Sequence, residues 1–228
     1  KVSGLGEDAV QLKNLTPEEQ RAYKGILSFL IFLDSIQTVN LPNFSDFITA
    51  PEVNLILSIQ AYQEAIHSQS YAVILETVVN SQERDEIYYF WRTDKHLLER
   101  NEFIGGIYQE FIDNPSDENF FRGIIGNFLL ESIYFYNGFA YFDTLADQGK
   151  MVATDRMINY IRRDELTHVT IFANIIKEIK AEFPEIYNAQ MIYDMMGVAV
   201  DQEIKWSKHI LGKNIIGMSH ENIENYTK

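Results

Sequence analysis

Two Glu-x-x-His pairs, Glu64-Ala65-Ile66-His67 and Glu165-Leu166-Thr167-His168, are the residues of this sequence best suited to chemistry. In an α-helix, positions i and i+3 share a face, so each pair turns one carboxylate and one imidazole the same way and can grip a single metal ion. Two pairs imply two ions. One such pair alone is met on many solvated helix faces; two copies, each embedded in an apolar stretch, are harder to assign to solvent. Two further acids stand where a core should hold none. Asp34 continues the face of Tyr23, Ile26, Leu27 and Leu30, and Glu131 lies between Phe128 and Phe135 in a stretch apolar almost all round. An ionised carboxylate buried alone is prohibitively costly, so such an acid is protonated, paired or metal-bound. For either acid taken alone, a structural salt bridge or a helix-end carboxylate facing water is an equal reading.

The elements that must position these groups read as helices. Thr16-Pro17-Glu18-Glu19 offers an N-cap hydroxyl, a first-turn proline and a glutamate at N3, which predicts a helix over about 17–39. Pro51 opens a second, whose inner stripe runs Val53, Leu57, Gln60, Glu64, His67, Tyr71 and Ile74. Residues 83–111 are expected to form helical pieces broken near Gly105-Gly106. Pro115-Ser116-Asp117 starts a long apolar helix through Phe120, Ile124, Phe128, Glu131, Phe135 and Phe139, and Gly149 punctuates it. Thr154 is expected to cap the next, with Ile158, Ile161, Glu165, His168 and Phe172 on one face; Pro184 precedes a last long helix to about Leu211. Strand-like alternation, solenoid repeats and low-complexity linkers are not seen, so the expectation is one all-α domain over residues 1–228.

Composition narrows the function classes. The net charge of −14, with no local cluster of Lys and Arg, argues against a nucleic-acid surface. No run of 18 or more apolar residues suggests a membrane span. Zero cysteines exclude disulfides, thiolate metal sites and thiol catalysis, and fit a cytoplasmic location. The chain starts at Lys1 with no signal-like segment, so it is expected to lie inside a longer gene product and to lack its native tails.

Taken together, one acid on each of two helices and a Glu-x-x-His on each of two others form the inward-facing constellation of ferritin-like di-iron and di-manganese carboxylate proteins, with Asp in place of one Glu. Four carboxylates balance two divalent ions, and two neutral imidazoles complete the set. Oxygen-rich ligation with some nitrogen suits iron or manganese better than zinc or copper. Tyr71 follows His67 by four residues and is therefore its neighbour on the helix; a core tyrosine bonded to a carbonyl is the lesser reading of it.

The segments Leu33-Asp34-Ser35-Ile36-Gln37, Glu64 to Tyr71, Leu130-Glu131-Ser132-Ile133-Tyr134-Phe135-Tyr136 and Arg163-Asp164-Glu165-Leu166-Thr167-His168 resemble the four signature segments of the class I ribonucleotide reductase small subunit, the radical-generating R2 protein, in order and approximate separation. The resemblance covers about residues 15–217. It implies an all-α ferritin-like bundle with a dinuclear metal site in its core. Asp34, Glu64 and His67 would hold one metal, and Glu131, Glu165 and His168 the other, with Glu64 and Glu165 bridging and Glu131 free to change its binding mode. Tyr71 would store a radical, shielded by Phe135, Phe139, Ile158 and Ile161; Phe135 and Phe139 taken alone read as plain core. Asp164 would hydrogen-bond the first-site histidine and belong to the radical-transfer route, although standing alone beside Arg163 it reads as a salt bridge.

The resemblance also implies two ions per chain, Fe/Fe first and Mn/Mn or Mn/Fe as alternatives, with oxygen or superoxide as oxidant. It implies a homodimer, a large catalytic subunit that makes deoxyribonucleotides, and a flavodoxin-like activator if the metal is manganese. The family's radical-transfer tryptophan falls upstream of Lys1, and its large-subunit-binding tail beyond Lys228. Trp91 and Trp206 do not replace that tryptophan by position, and His96, His209 and His220 are expected at the surface. The stretch between Tyr71 and Glu131 is short for the family, which points to a compact subgroup; subgroups differ in metal, and some do without the tyrosine. Two other readings are an R2-like ligand-binding oxidase or related dimetal oxygenase, and ferritin-type metal storage.

Overall fold

The computed structural model describes residues 3–213 and 215–227, so Lys1, Val2, Asn214 and Lys228 of the expected domain lie outside the described residues. The helices are α1 (Leu5–Leu12), α2 (Pro17–Asn40), α3 (Pro51–Val78), α4 (Ser81–Thr93), α5 (Lys95–Asp113), α6 (Asp117–Leu129), α7 (Tyr136–Ala146), α8 (Val152–Glu182), α9 (Ala189–Leu211) and α10 (His220–Thr227). A 3-10 stretch, Leu41–Phe47, extends α2, and a π turn, Leu130–Tyr134, joins α6 to α7. Among the described residues there is no strand.

Local chemistry accounts for most of the boundaries. Thr16 and Glu19 close a reciprocal capping box at the start of α2, with Pro17 in its first turn. Asn80, Asp94, Ser116 and Asn188 cap α4, α5, α6 and α9 through their side chains. The expected break at Gly105-Gly106 does not occur. The break falls at Asp94, whose carboxylate accepts from the backbone N–H of His96 and Leu97, while both glycines stay inside α5. Nor does Thr154 cap α8. That helix begins at Val152, after Met151 in the left-handed region at φ 52°. Thr154 is buried inside the first turn, and its N–H and hydroxyl both donate to Asp8 at 2.7 Å, so a carboxylate from α1 serves the start of α8.

The ligand-bearing segments form the centre of the bundle. α2 lies along α3, the α6–π–α7 segment lies along α8, and α3 meets α8. Close packing sets one requirement on α6: a Cβ at Gly123 would stand 2.6 Å from the Phe44 ring. The core is continuous, from Tyr23, Phe29 and Leu30 through Phe121, Phe139 and Phe142 to Phe172 and Trp206. The segment Pro17–Phe47 is long and apolar enough to cross a membrane by length and composition, contrary to the sequence expectation, but most of its apolar window is buried in this core. The histidines away from the centre are half-buried rather than fully at the surface. His209 meets an acid that its own helix does not supply, Asp94, at 2.7 Å, and its ring lies 4.6 Å from that of His96.

Candidate metal centre

Buried polar side chains converge where α2, α3, the π turn and α8 face one another. Asp34, Glu64, Glu131, Glu165 and His168 are 0% exposed and His67 is 2% exposed. Their ligand atoms form two tetrads, Asp34, Glu64, His67 and Glu165, and Glu64, Glu131, Glu165 and His168, with the atoms of each within 4.8 Å of one another. Glu64 and Glu165 belong to both. Each offers one oxygen to each imidazole: Glu64 Oε2 is 3.3 Å and Glu165 Oε1 2.9 Å from His67 Nδ1. Glu64 Oε1 is 3.2 Å and Glu165 Oε2 2.6 Å from His168 Nδ1. Asp34 stands 3.9 Å from His67 Nδ1, and Glu131 the same distance from His168 Nδ1. The two ring centroids are 6.1 Å apart.

The outer nitrogens are also engaged. His67 Nε2 lies 3.3 Å from Asp164, and His168 Nε2 lies 3.0 Å from the Gln63 amide oxygen. Such partners leave Nδ1 of each ring turned inward, toward the shared acids, with the outer nitrogen held as it is in metal-binding imidazoles. Glu131 Oε1 accepts from Gln37 Nε2 at 2.8 Å and from Gln60 Nε2 at 3.0 Å. Gln37 also bonds Asn127, and its amide oxygen accepts from the Tyr108 hydroxyl at 2.9 Å. Of these, Gln60 stands on the inner stripe read from the sequence. Gln63, one turn before His67, Gln37, one turn after Asp34, and Asn127, one turn before Glu131, are missed but carry the same helical-spacing signal. Tyr108 comes from α5, which supplies no member of either tetrad, and nothing in its sequence context marks it.

The electrostatics are those of a cluster short of positive charge. Burial pushes the Asp34 carboxyl well above its usual range, and the charges of Glu64 and Glu165 push it further. Burial, then Glu165 and Glu64, raise Glu131 in the same way. Burial works to raise Glu165 too, but hydrogen bonds from His168 and His67 outweigh it and bring the carboxyl to about 2. Burial alone would lower His67; hydrogen bonds with Glu165 and Glu64 lift it instead to about 11. His168 is raised likewise, against burial, by Glu131, Glu165 and Glu64. Both Asp34 oxygens, Glu131 Oε2 and the Tyr71 hydroxyl have no hydrogen-bond partner among the described residues despite complete burial. Orphaned buried oxygens beside two imidazoles are a donor set that cations fit. Four carboxylates match the charge of two divalent ions.

Tyr71 lies on the same face of α3 as His67. Burial raises its phenol well above the usual value, and the charges of Asp34, Glu165, Glu64 and Glu131 add to that. Phe135, Phe139, Ile158 and Ile161 are buried in the same core as Tyr71. Phe135 and Phe139 pack with centroids 5.8 Å apart. Trp206 is core, 2% exposed, and Trp91 stacks on Phe32 at 3.9 Å.

Comparison with known proteins gives a consistent family. Residues 3–228 match the family described as ribonucleotide reductase, small chain. The ribonucleoside-diphosphate reductase subunit beta of Treponema pallidum (strain Nichols) is 45% identical over 227 residues, covering 98% of this chain and 65% of that protein. The chain thus spans about two thirds of the length of that relative. Among solved structures, the ribonucleotide reductase R2 subunit from Clostridium botulinum superposes with a TM-score of 0.95 at 50% identity, over 99% of this chain and 72% of that one. An R2-like ligand-binding oxidase superposes with a TM-score of 0.79 at 16% identity, over 98% and 81% of the two chains, a likeness of fold alone.

Proposed function

The chain belongs to the ribonucleotide reductase small-chain family, and from that premise we propose that it is the radical-generating part of a ribonucleoside-diphosphate reductase. The observation that carries this reading is the pair of buried tetrads sharing Glu64 and Glu165, with a buried, unpartnered tyrosine on the same helix face.

Asp34, Glu64, His67 and Glu165 would hold one ion, and Glu64, Glu131, Glu165 and His168 the other. A dinuclear iron, manganese or mixed centre bound there supplies, with oxygen or superoxide, a one-electron oxidant in a site closed to water. The protein's part is to direct that oxidation. Tyr71 gives up one electron and its phenolic proton, becoming a neutral radical. The phenol has no hydrogen-bond partner among the described residues, so its proton would leave together with the electron to that oxidant, and Asp34 is the acid whose charge bears most strongly on the phenol. Buried Phe135, Phe139, Ile158 and Ile161 keep solvent and reductants out of the surrounding core. Asp164, on the outer nitrogen of His67 and 26% exposed at its side chain, links the centre toward the surface. The radical would serve a separate large subunit that reduces ribonucleotides, with this chain working as a homodimer in the cytoplasm; a flavodoxin-like activator applies only to manganese loading.

The test is to load the full chain with iron under air, or with manganese plus superoxide, and record EPR. An organic signal near g = 2, split by ring β-protons, is expected in the parent and absent in Tyr71→Phe, with metal content retained. The phenol makes no hydrogen bond, so Tyr71→Phe should leave stability unchanged or raise it by up to about 1 kcal/mol. A full radical in Tyr71→Phe would move the stored equivalent away from this residue.

A further inference from the structure

Arg100, on α5, belongs to neither tetrad, yet it is only 1% exposed. Its guanidinium lies over the Phe29 ring, 3.7 Å from the centroid, with the Tyr134 ring at 4.8 Å and Trp206 at 5.5 Å. Its polar contacts run through one nitrogen. Nη2 pairs with Glu203 of α9 and donates to the backbone carbonyl of Tyr134 at 3.0 Å, while Nε and Nη1 have no hydrogen-bond partner among the described residues. Glu203, buried as well, accepts from Ser207 at 2.9 Å. Tyr134 is the last residue of the π turn, in which Glu131 is the second. Its phenol in turn donates to Gln202 of α9 at 2.7 Å.

A π turn inserts an extra residue into a helix and persists where neighbours hold it. We propose that Arg100, neutralised by Glu203, is a positioning residue for Glu131: its bond to the Tyr134 carbonyl fixes the widened turn in the register that points Glu131 into the second tetrad. The proposal rests on reading the tetrads as a metal centre. A buried ion pair with no further task can be exchanged for apolar side chains of similar volume without loss of stability, and often with gain. A pair that also fixes a backbone carbonyl cannot be exchanged without consequence at the turn.

Two variants of the full chain separate these cases in a Mn(II) titration followed by EPR, in which an isolated ion and a spin-coupled pair give different spectra. Arg100→Met/Glu203→Met balances charge and volume but removes the donor. Its unfolding midpoint should stay level or rise, while the second ion binds roughly 10–100-fold more weakly and the isolated-ion signal persists where the parent gives the coupled one. Arg100→Lys keeps a cation beside Glu203, but its nitrogen ends one atom short of Nη2, so it should show the same loss with the first ion unaffected. Should the double variant fail to fold, Arg100→Lys decides alone. Parental second-ion affinity in either folded variant overturns the proposal. So does equal weakening of both ions, which marks general loosening. A parent that binds no manganese or iron overturns the metal reading itself, and this proposal with it.

Discussion

The two imidazoles each divide their nitrogens, one toward the shared acids and one toward an outer partner, and that division has a proton cost when a cation enters. Hydrogen bonds with the acids lift His67 to about 11 and raise His168 too, which favours the imidazolium form of both rings, and burial shifts Asp34 and Glu131 toward their protonated forms. Ligation needs neutral rings and ionised carboxylates. Binding of two divalent ions should therefore release at least two protons per chain, and apparent affinity should rise by about tenfold per pH unit for each proton displaced. Calorimetry in buffers of different ionisation enthalpy measures the release; a value near zero would contradict the assignment. Glu131→Ala should lower bound metal from about two ions to one or fewer, since only the second tetrad contains this residue. The six acids and imidazoles were legible because each is a polar residue on an apolar helical stripe. The amides of Gln37, Gln63 and Asn127 share that spacing but were given no role, since a neutral amide on a stripe is ordinary until its partner is known.

At the scale of elements, the start of α8 depends on a carboxylate from another helix. Asp8 accepts two hydrogen bonds from Thr154, and Thr154 is also bonded to the buried Tyr23 hydroxyl at 2.9 Å. Asp8→Ala should cost about 1–3 kcal/mol in urea unfolding, with Asp8→Asn milder because one acceptor survives. The capping box of α2 gives a pH signature. Burial opposes ionisation of Glu19, but Lys150 and the Thr16 backbone N–H outweigh it and hold its carboxyl below the usual 4.5. A carboxyl lowered on folding contributes stability that is present above pH 4.5 and lost as pH falls through the lowered value. Glu19→Gln should thus be less stable than the parent by about 1–2 kcal/mol at pH 7, and the gap should close in acid. Equal gaps at both pH values would rule this out. Thr16-Pro17 and Pro51 announced their helices because capping is local. Asp94 was the overlooked stop, since its capping role competes with glycines that look like stronger breakers. The short α1 and α10 lack a long apolar period, and the π turn leaves no pattern in the sequence because it differs from an α-helix by one residue of register.

Over the whole molecule, the bundle and its polar centre depend on each other. Cations that bind only the folded chain should stabilise it by about 2.7 kcal/mol per ion at a hundredfold excess over Kd. For a domain of this size that corresponds to roughly 5–10 °C per ion in thermal unfolding. No shift with either iron or manganese would mean that the cluster is satisfied by its own protons. The ferritin-like architecture was legible from helical periodicity and from charged groups on inner faces; which neighbours hold the turn under Glu131 was not, because that information lies in contacts between segments far apart in the sequence. The shared acid Glu165 carries one more consequence. It belongs to both tetrads and sits on α8, so neither of the two proposed ions would have a complete set of ligands until that helix has packed. During synthesis on the ribosome, a nascent chain that has exposed α2, α3 and the π turn offers only scattered acids, which bind divalent ions weakly and without selection. On the proposed metal reading, loading would wait until α8 has packed against α3 and the π turn, so the ions available to the folded bundle, rather than to the emerging chain, would decide what the centre holds.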